Sequence, residues 1–146
     1  MAVNWSKAQE MAARTARWAV TMVKVRIRQI ASRTRWQLVT FYGKSGGESV
    51  GVVDLLAIRK DHGKPVGSIK RGDALQIILI QVKGGSAARP TSEDATRLRA
   101  VAKRHHACHA LLATWKKGKA ARFFRLRRKS ANEPWAEITN LDSVFR

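Results

Sequence analysis

Between residues 5 and 30 the chain has neither proline nor glycine, and Met11, Trp18, Ala19, Met22, Val23, Ile27 and Ile30 recur near helical spacing. This predicts one long amphipathic helix. At 100° per residue Arg14, Arg17, Lys24 and Arg28 fall in one narrow sector, facing away from most of those apolar groups. Residues 36–42 then read as a strand closed by a glycine-rich loop, Gly43-Lys44-Ser45-Gly46-Gly47. Residues 49–58 are apolar on both faces through Val50, Val52, Val53, Leu55, Leu56 and Ile58, and residues 75–83 repeat the pattern through Ile77, Ile78, Leu79 and Ile80. Both predict central strands covered above and below. The mixed, glycine-bearing stretch 59–73 between them reads as a hairpin-like connection.

After Gly84-Gly85-Ser86, Pro90-Thr91 opens a second helix to about residue 103, with Thr91 and Asp94 spaced for a capping box and Ala95, Leu98 and Ala102 facing inward. Residues 108–115 and 121–126 are two further strands, and 135–138 a short edge strand. The order α-β-β-β-α-β-β, without internal repeat or linker, predicts a single α/β domain: a mixed central sheet flanked by helices over residues 1–146.

Composition changes the picture through charge. Lys and Arg number 29 against 10 Asp and Glu, a formal net charge of +19, and the cations are spread along the whole length. A folded body of that charge attracts polyanions, because neutralising phosphates releases condensed counterions. DNA is therefore the first partner expected, with RNA an alternative. Nothing resembles a bilayer span or a signal peptide, which predicts a cytoplasmic, nucleoid-associated protein without a membrane partner. The single cysteine, Cys108, fits a reducing compartment.

Asp54 is the sharpest anomaly, a carboxylate inside an otherwise apolar run. A buried charge must be paired or bound to metal. The next apolar run ends in Gln81-Val82-Lys83, where strand periodicity puts Gln81 and Lys83 on one face. Two strands thus converge on a polar spot, an arrangement suited to metal-assisted phosphodiester hydrolysis. Asp54 would anchor Mg²⁺ or Mn²⁺, the Gln81 side-chain oxygen or the Val82 carbonyl would complete the ligands, and Lys83 would orient water or stabilise charge on the phosphate. The competing reading is a buried Asp54–Lys83 ion pair.

The stretch from Glu48 through Asp54 to Ile58, followed by Ile78-Leu79-Ile80-Gln81-Val82-Lys83-Gly84-Gly85, resembles the core of the PD-(D/E)xK nuclease superfamily, closest to Mrr-type restriction endonucleases and archaeal Holliday-junction resolvases. The resemblance implies a restriction-endonuclease-like α-β-β-β-α-β core and a metal-dependent DNA endonuclease of restriction, recombination or repair, with structure selectivity on the resolvase side of the resemblance. It implies a metal-binding role for Asp54 and a catalytic one for Lys83. Gln81 stands where most members carry Asp or Glu, as in the Mrr-type branch, and Val53 replaces the proline. The neutral amide implies a second carboxylate, for which Glu48 is the natural candidate and Glu10 its rival. Glu10 is also spaced for an i,i+4 pair with Arg14.

His105, His106, Cys108 and His109 lack the paired spacing of a zinc site. Arg14, Arg17, Lys24, Arg28, Lys44, Arg89, Lys116, Lys117 and Lys119 are candidate phosphate contacts. An exposed Trp or the long helix could support a homodimer. The alternatives to cleavage are a nuclease fold that binds DNA or RNA without cutting it, for which Gln81 argues, and a basic structural protein.

Overall fold

The computed structural model describes residues 4–43, 50–87, 89–129 and 132–146. Helix α1 spans Trp5–Ala31, starting where the Asn4 side chain accepts from the Lys7 amide. Six strands follow: β1 Gln37–Thr40, β2 Leu55–Lys60, β3 Leu75–Gly84, β4 His109–Trp115, β5 Arg122–Leu126 and β6 Trp135–Glu137. Helix α2, Ser92–Arg104, joins β3 to β4, and a 3-10 turn at Leu141–Ser143 precedes the C-terminal residues. The strands form one sheet in the order β1-β2-β3-β4-β5-β6, antiparallel except for the parallel pair β3 and β4. A parallel pair needs a crossover, and α2 supplies it. The element order through β4 is the α-β-β-β-α-β order expected from the sequence. No described helix is long and apolar enough to cross a membrane.

Each face of the sheet buries its own core. On one side Val23, Ile27 and Ala31 of α1 pack onto Leu55, Ala57, Ile78, Ile80, Leu111 and Ala113. On the other Ala95 and Leu98 of α2 cover Leu79, Ala110, Leu112 and Phe124. Strand periodicity sorts β3 between them, with Ile78 and Ile80 toward α1 and Leu79 toward α2. α2 begins with a complete capping box, Thr91 Oγ1 accepting from the Asp94 amide and Asp94 accepting from the Thr91 amide.

Three details differ from expectation. Only the C-terminal half of α1 is buried; Trp5, Met11 and Trp18 are more than half exposed, so the inward face is set by Ala19, Val23, Ile27 and Ala31 rather than by the largest side chains. β2 starts at Leu55, not residue 49: Gly51 adopts a left-handed φ of 115°, and the chain bends until Asp54. Val52 is nonetheless buried and Val53 packs beside it on the α2 side, which is why the run reads as one continuous strand in sequence. Finally, the C-terminal residues are core. Phe145 is fully buried, meets Trp36 edge to face at 5.9 Å, and accepts a hydrogen bond at its carbonyl from Trp36 Nε1 at 3.1 Å.

The crossing of α1 over the end of β3 depends on small residues. A Cβ at Gly84 would lie 2.7 Å from the Ala19 Cβ and 3.2 Å from the Thr15 carbonyl oxygen. Glycine facing alanine is what lets the helix sit that low on the strand.

Candidate functional site

Asp54 stands just ahead of β2, and its amide donates to the Ile80 carbonyl at 2.9 Å, although Ile80 is already the register partner of Leu55. Two successive residues facing one across a pair is a bulge, which breaks the alternation of side chains and re-aims one of them. Asp54 Oδ2 accepts from the Val82 amide at 2.7 Å. The carboxylate ahead of β2 is thereby docked on the middle residue of the Gln81-Val82-Lys83 triplet. A short bond to an ionised acceptor is among the stronger hydrogen bonds a protein makes.

Asp54 and Val82 line a cavity of about 490 Å³ between α1 and the sheet, together with Arg17, Thr21 and Lys24 of α1 and with Thr40, Phe41 and Tyr42. Ala12, Ala13 and Ala16 form its helical wall. Their small side chains, on the helix face turned to the sheet, leave the space open. Two cations and two hydroxyl-bearing threonines therefore share one opening with a carboxylate and the exposed ring of Tyr42.

The remaining sequence candidates divide. Gln81 is 5% exposed, pairs in register with Leu112, and lies by alternation on the α2 side with Leu79; its Oε1 is buried without a hydrogen-bond partner among the described residues. Lys83, two residues on, shares that side of the strand, is partly buried, and does not line the cavity. The cavity thus brings Asp54 together with Val82 and with Arg17 and Lys24, and not with the side chains of Gln81 and Lys83. Glu48 and Lys44 lie outside the described residues. Glu10 is exposed; its neighbour Gln9, not Glu10 itself, borders the cavity, and no ion pair joins Glu10 to Arg14 among the described residues.

Arg17, exposed, and Lys24, part-buried, border the cavity from the stripe, while Arg14 and Arg28 are exposed beyond it. Lys116, Lys117 and Lys119 are exposed in the turn after β4, at the sheet end shared with Lys83, whose register partner is Thr114. Arg89 is engaged within the chain: its guanidinium lies 4.6 Å over the Phe124 ring and 4.0 Å from Glu133. Among the described residues no three His, Cys, Asp or Glu side chains converge as a metal cluster, the histidines around Cys108 included.

Sequence reasoning missed Thr21, Tyr42 and the cavity that Arg17 and Lys24 border. The alanines at i, i+4 on α1, Ala12 and Ala16, were the available signal, since small residues in register mark a helix face left open to the sheet.

No protein-family model matches the sequence, and no curated protein is significantly similar to it. Among solved structures the chain is similar to Hjc of Archaeoglobus fulgidus, a Holliday junction resolvase from an archaeal hyperthermophile. The identity is 16%, the match covers 82% of this chain and 86% of that one, and the TM-score is 0.43. A likeness of this degree leaves the reading of the site to this chain's own residues.

Proposed function

We propose that this chain is a metal-dependent DNA endonuclease centred on Asp54. The observation that carries the reading is the 2.7 Å bond from the Val82 amide to Asp54 Oδ2, which seats the carboxylate on the Gln81-Val82-Lys83 triplet. The Asp54 carboxylate donates through oxygen, which suits a hard cation. Gln81 Oε1 is a buried acceptor with no hydrogen-bond partner among the described residues, but it lies on the α2 side of β3, away from the Asp54 cavity. A single carboxylate fits Mg²⁺ or Mn²⁺ that keeps most of its waters. Such an ion would supply Lewis-acid polarisation of a phosphoryl oxygen.

The chain's own groups do the rest. The Val82 amide fixes the Asp54 carboxylate in place. Arg17 and Lys24 bring positive charge to a phosphate entering the same cavity. Lys83, one residue from the end of β3, lies on the α2 side of the strand, and its catalytic role is carried by the resemblance alone. The exposed lysines of the turn after β4, with Arg14 and Arg28, extend the positive surface over which a duplex would lie. A preference for branched DNA follows from the resemblance to resolvases.

A second reading has specific support: a nuclease-fold module that binds DNA or RNA without cutting it. Gln81 is sealed in the sheet, and Lys83 does not line the cavity that Asp54 does. Nicking of supercoiled plasmid in Mg²⁺ or Mn²⁺ separates the two. Wild type is expected to nick, and Asp54→Asn and Lys83→Ala are each expected to slow it by about 100-fold or more. Tight binding with no nicking at any metal concentration would select the second reading, and equal nicking by wild type and Asp54→Asn would remove Asp54 from the chemistry.

A further inference from the structure

The opposite end of the sheet carries a second concave site, about 460 Å³, where the start of β1, the end of β2 and the start of β3 meet. Its walls hold Arg33, Arg35, Arg59, Lys60 and Arg71, and one carboxylate, Asp61. Scattered surface cations are ordinarily just solvated, but three observations set this group apart. First, the cleft is organised around a fixed guanidinium. Arg59 Nε donates to Gln76 Oε1 at 2.6 Å, Arg59 Nη1 donates to the Thr34 carbonyl at 2.9 Å, and the group lies 4.2 Å over the Trp36 ring. Trp36 is in turn held by the Phe145 carbonyl.

Second, the positive charge is not balanced internally. None of the five cations lies within ion-pair distance of a carboxylate among the described residues, and Asp61 Oδ1 is occupied by the Gly63 amide at 2.8 Å. Like charges gathered in a concavity repel one another, and an anion relieves that repulsion. Third, Arg35 holds a left-handed φ of 63°, a conformation that costs a residue with a side chain and that persists only where its surroundings impose it. The backbone beside it is tied down, since the Thr34 amide donates to the Ala31 carbonyl and the Thr34 carbonyl accepts from Arg59, and across the cleft the Asp61 amide donates to the Ala74 carbonyl.

We propose that this cleft is a second phosphate-binding site, which grips the sugar-phosphate backbone of DNA away from Asp54. The proposal rests on the nucleic-acid part of the reading above and is independent of cleavage. β2 connects the two sites, with Asp54 just before its first residue and Arg59 and Lys60 at its end. At about 3.3 Å per residue the five residues from Asp54 to Arg59 span roughly 17 Å. That is about five base-pair steps of 3.4 Å, so one duplex lying along the sheet reaches both. The cleft therefore fixes how DNA is oriented relative to the carboxylate, and a duplex too short to span the two sites loses one of its anchors.

The test uses the full chain in EDTA, so that binding is read without cleavage. Fluorescence anisotropy of a labelled 20-base-pair duplex is followed from low to high salt for wild type, Arg33→Ala, Arg71→Ala, the double variant and Arg33→Lys. Both arginines are exposed, so the fold should survive, and circular dichroism checks that it does. The slope of log affinity against log salt should fall by about 1 for each alanine and about 2 for the pair, while Arg33→Lys should keep the wild-type slope. The double variant should bind about 10-fold or more weakly at moderate salt. Wild-type affinity and slope in the double variant would overturn the proposal. Titration with inorganic phosphate forms the second arm: saturable phosphate binding abolished by the double variant, with DNA binding unchanged, would assign the cleft to a free anion and overturn the DNA assignment. Failure of the plasmid assay with the salt slopes as expected would reject the nuclease reading and leave this site standing.

Discussion

Replacing Gly84 by alanine tests the packing that seats α1 over the candidate site. The φ of Gly84 is not in the left-handed region, so in open space the change should stabilise by about 0.4–1 kcal/mol through loss of freedom in the unfolded chain. The structure reverses that sign. The new methyl would sit 2.7 Å from the Ala19 Cβ, whereas carbon atoms rest at about 3.5–4.0 Å, so the two must separate by roughly 1 Å. Its second neighbour, the Thr15 carbonyl oxygen at 3.2 Å, is helix backbone, so no side-chain rotation relieves the crowding and α1 itself must lift. Overpacking of this kind costs about 1–3 kcal/mol. For a chain of this length that lowers Tm by roughly 3–10 °C. Thermal and urea unfolding of Gly84→Ala, Ala19→Gly and the double variant measure it. The double variant should recover part of the loss, because it removes the 2.7 Å contact and leaves the 3.2 Å one. A Gly84→Ala protein as stable as wild type, or more stable, would refute the close approach and with it the placement of Arg17 and Lys24 beside Asp54.

Two further outcomes follow from other parts of the fold. Phe145→Ala removes a fully buried ring and its edge contact with Trp36, and should cost about 3–5 kcal/mol in urea unfolding; a change below about 1 kcal/mol would mean that the C-terminal residues are not core. His109 is held below its ordinary pKa of 6.5 by burial first and by the charges of Arg125 and Arg128 after it. The unfolded chain therefore takes up this proton before the folded one, so the His109 contribution costs stability as pH falls below 6.5 and is absent above it. Chemical denaturation between pH 7.5 and 5.5 should give a shallower pH dependence for His109→Gln than for wild type, and identical dependences would contradict the assignment.

The two helices and β3 to β5 were legible because their signals are local. A capping box marks α2, period 3.6 marks α1, and short apolar runs bounded by polar or glycine-bearing turns mark β3 to β5. The start of β2 was not, because Val50, Val52 and Val53 continue the apolar run although Gly51 has already turned the chain; periodicity cannot distinguish a buried bend from a buried strand. The role of Phe145 depends on Trp36, 109 residues away, and no local pattern encodes such a contact. The site was half legible. Asp54 stood out as a carboxylate among apolar residues, but the partner fixing it is the backbone amide of Val82, a group every residue type except proline carries. Lys83 was the visible partner in sequence and is not the one the fold supplies in the cavity. The wheel of α1 grouped Arg17 with Lys24 correctly, while the rotation of that helix on the sheet is decided by Ala19 against Gly84, a pairing of two small residues with no sequence signature.

On the proposed reading Asp54, docked on Val82 of β3, holds a hard divalent cation. Electron paramagnetic resonance of free Mn²⁺, titrated with the full chain, tests it without reference to any substrate. Wild type is expected to show one saturable Mn²⁺ site that Asp54→Asn abolishes and from which Mg²⁺ displaces the ion. A wild-type chain that leaves the free Mn²⁺ signal untouched, or an Asp54→Asn chain that depletes it equally, would contradict it.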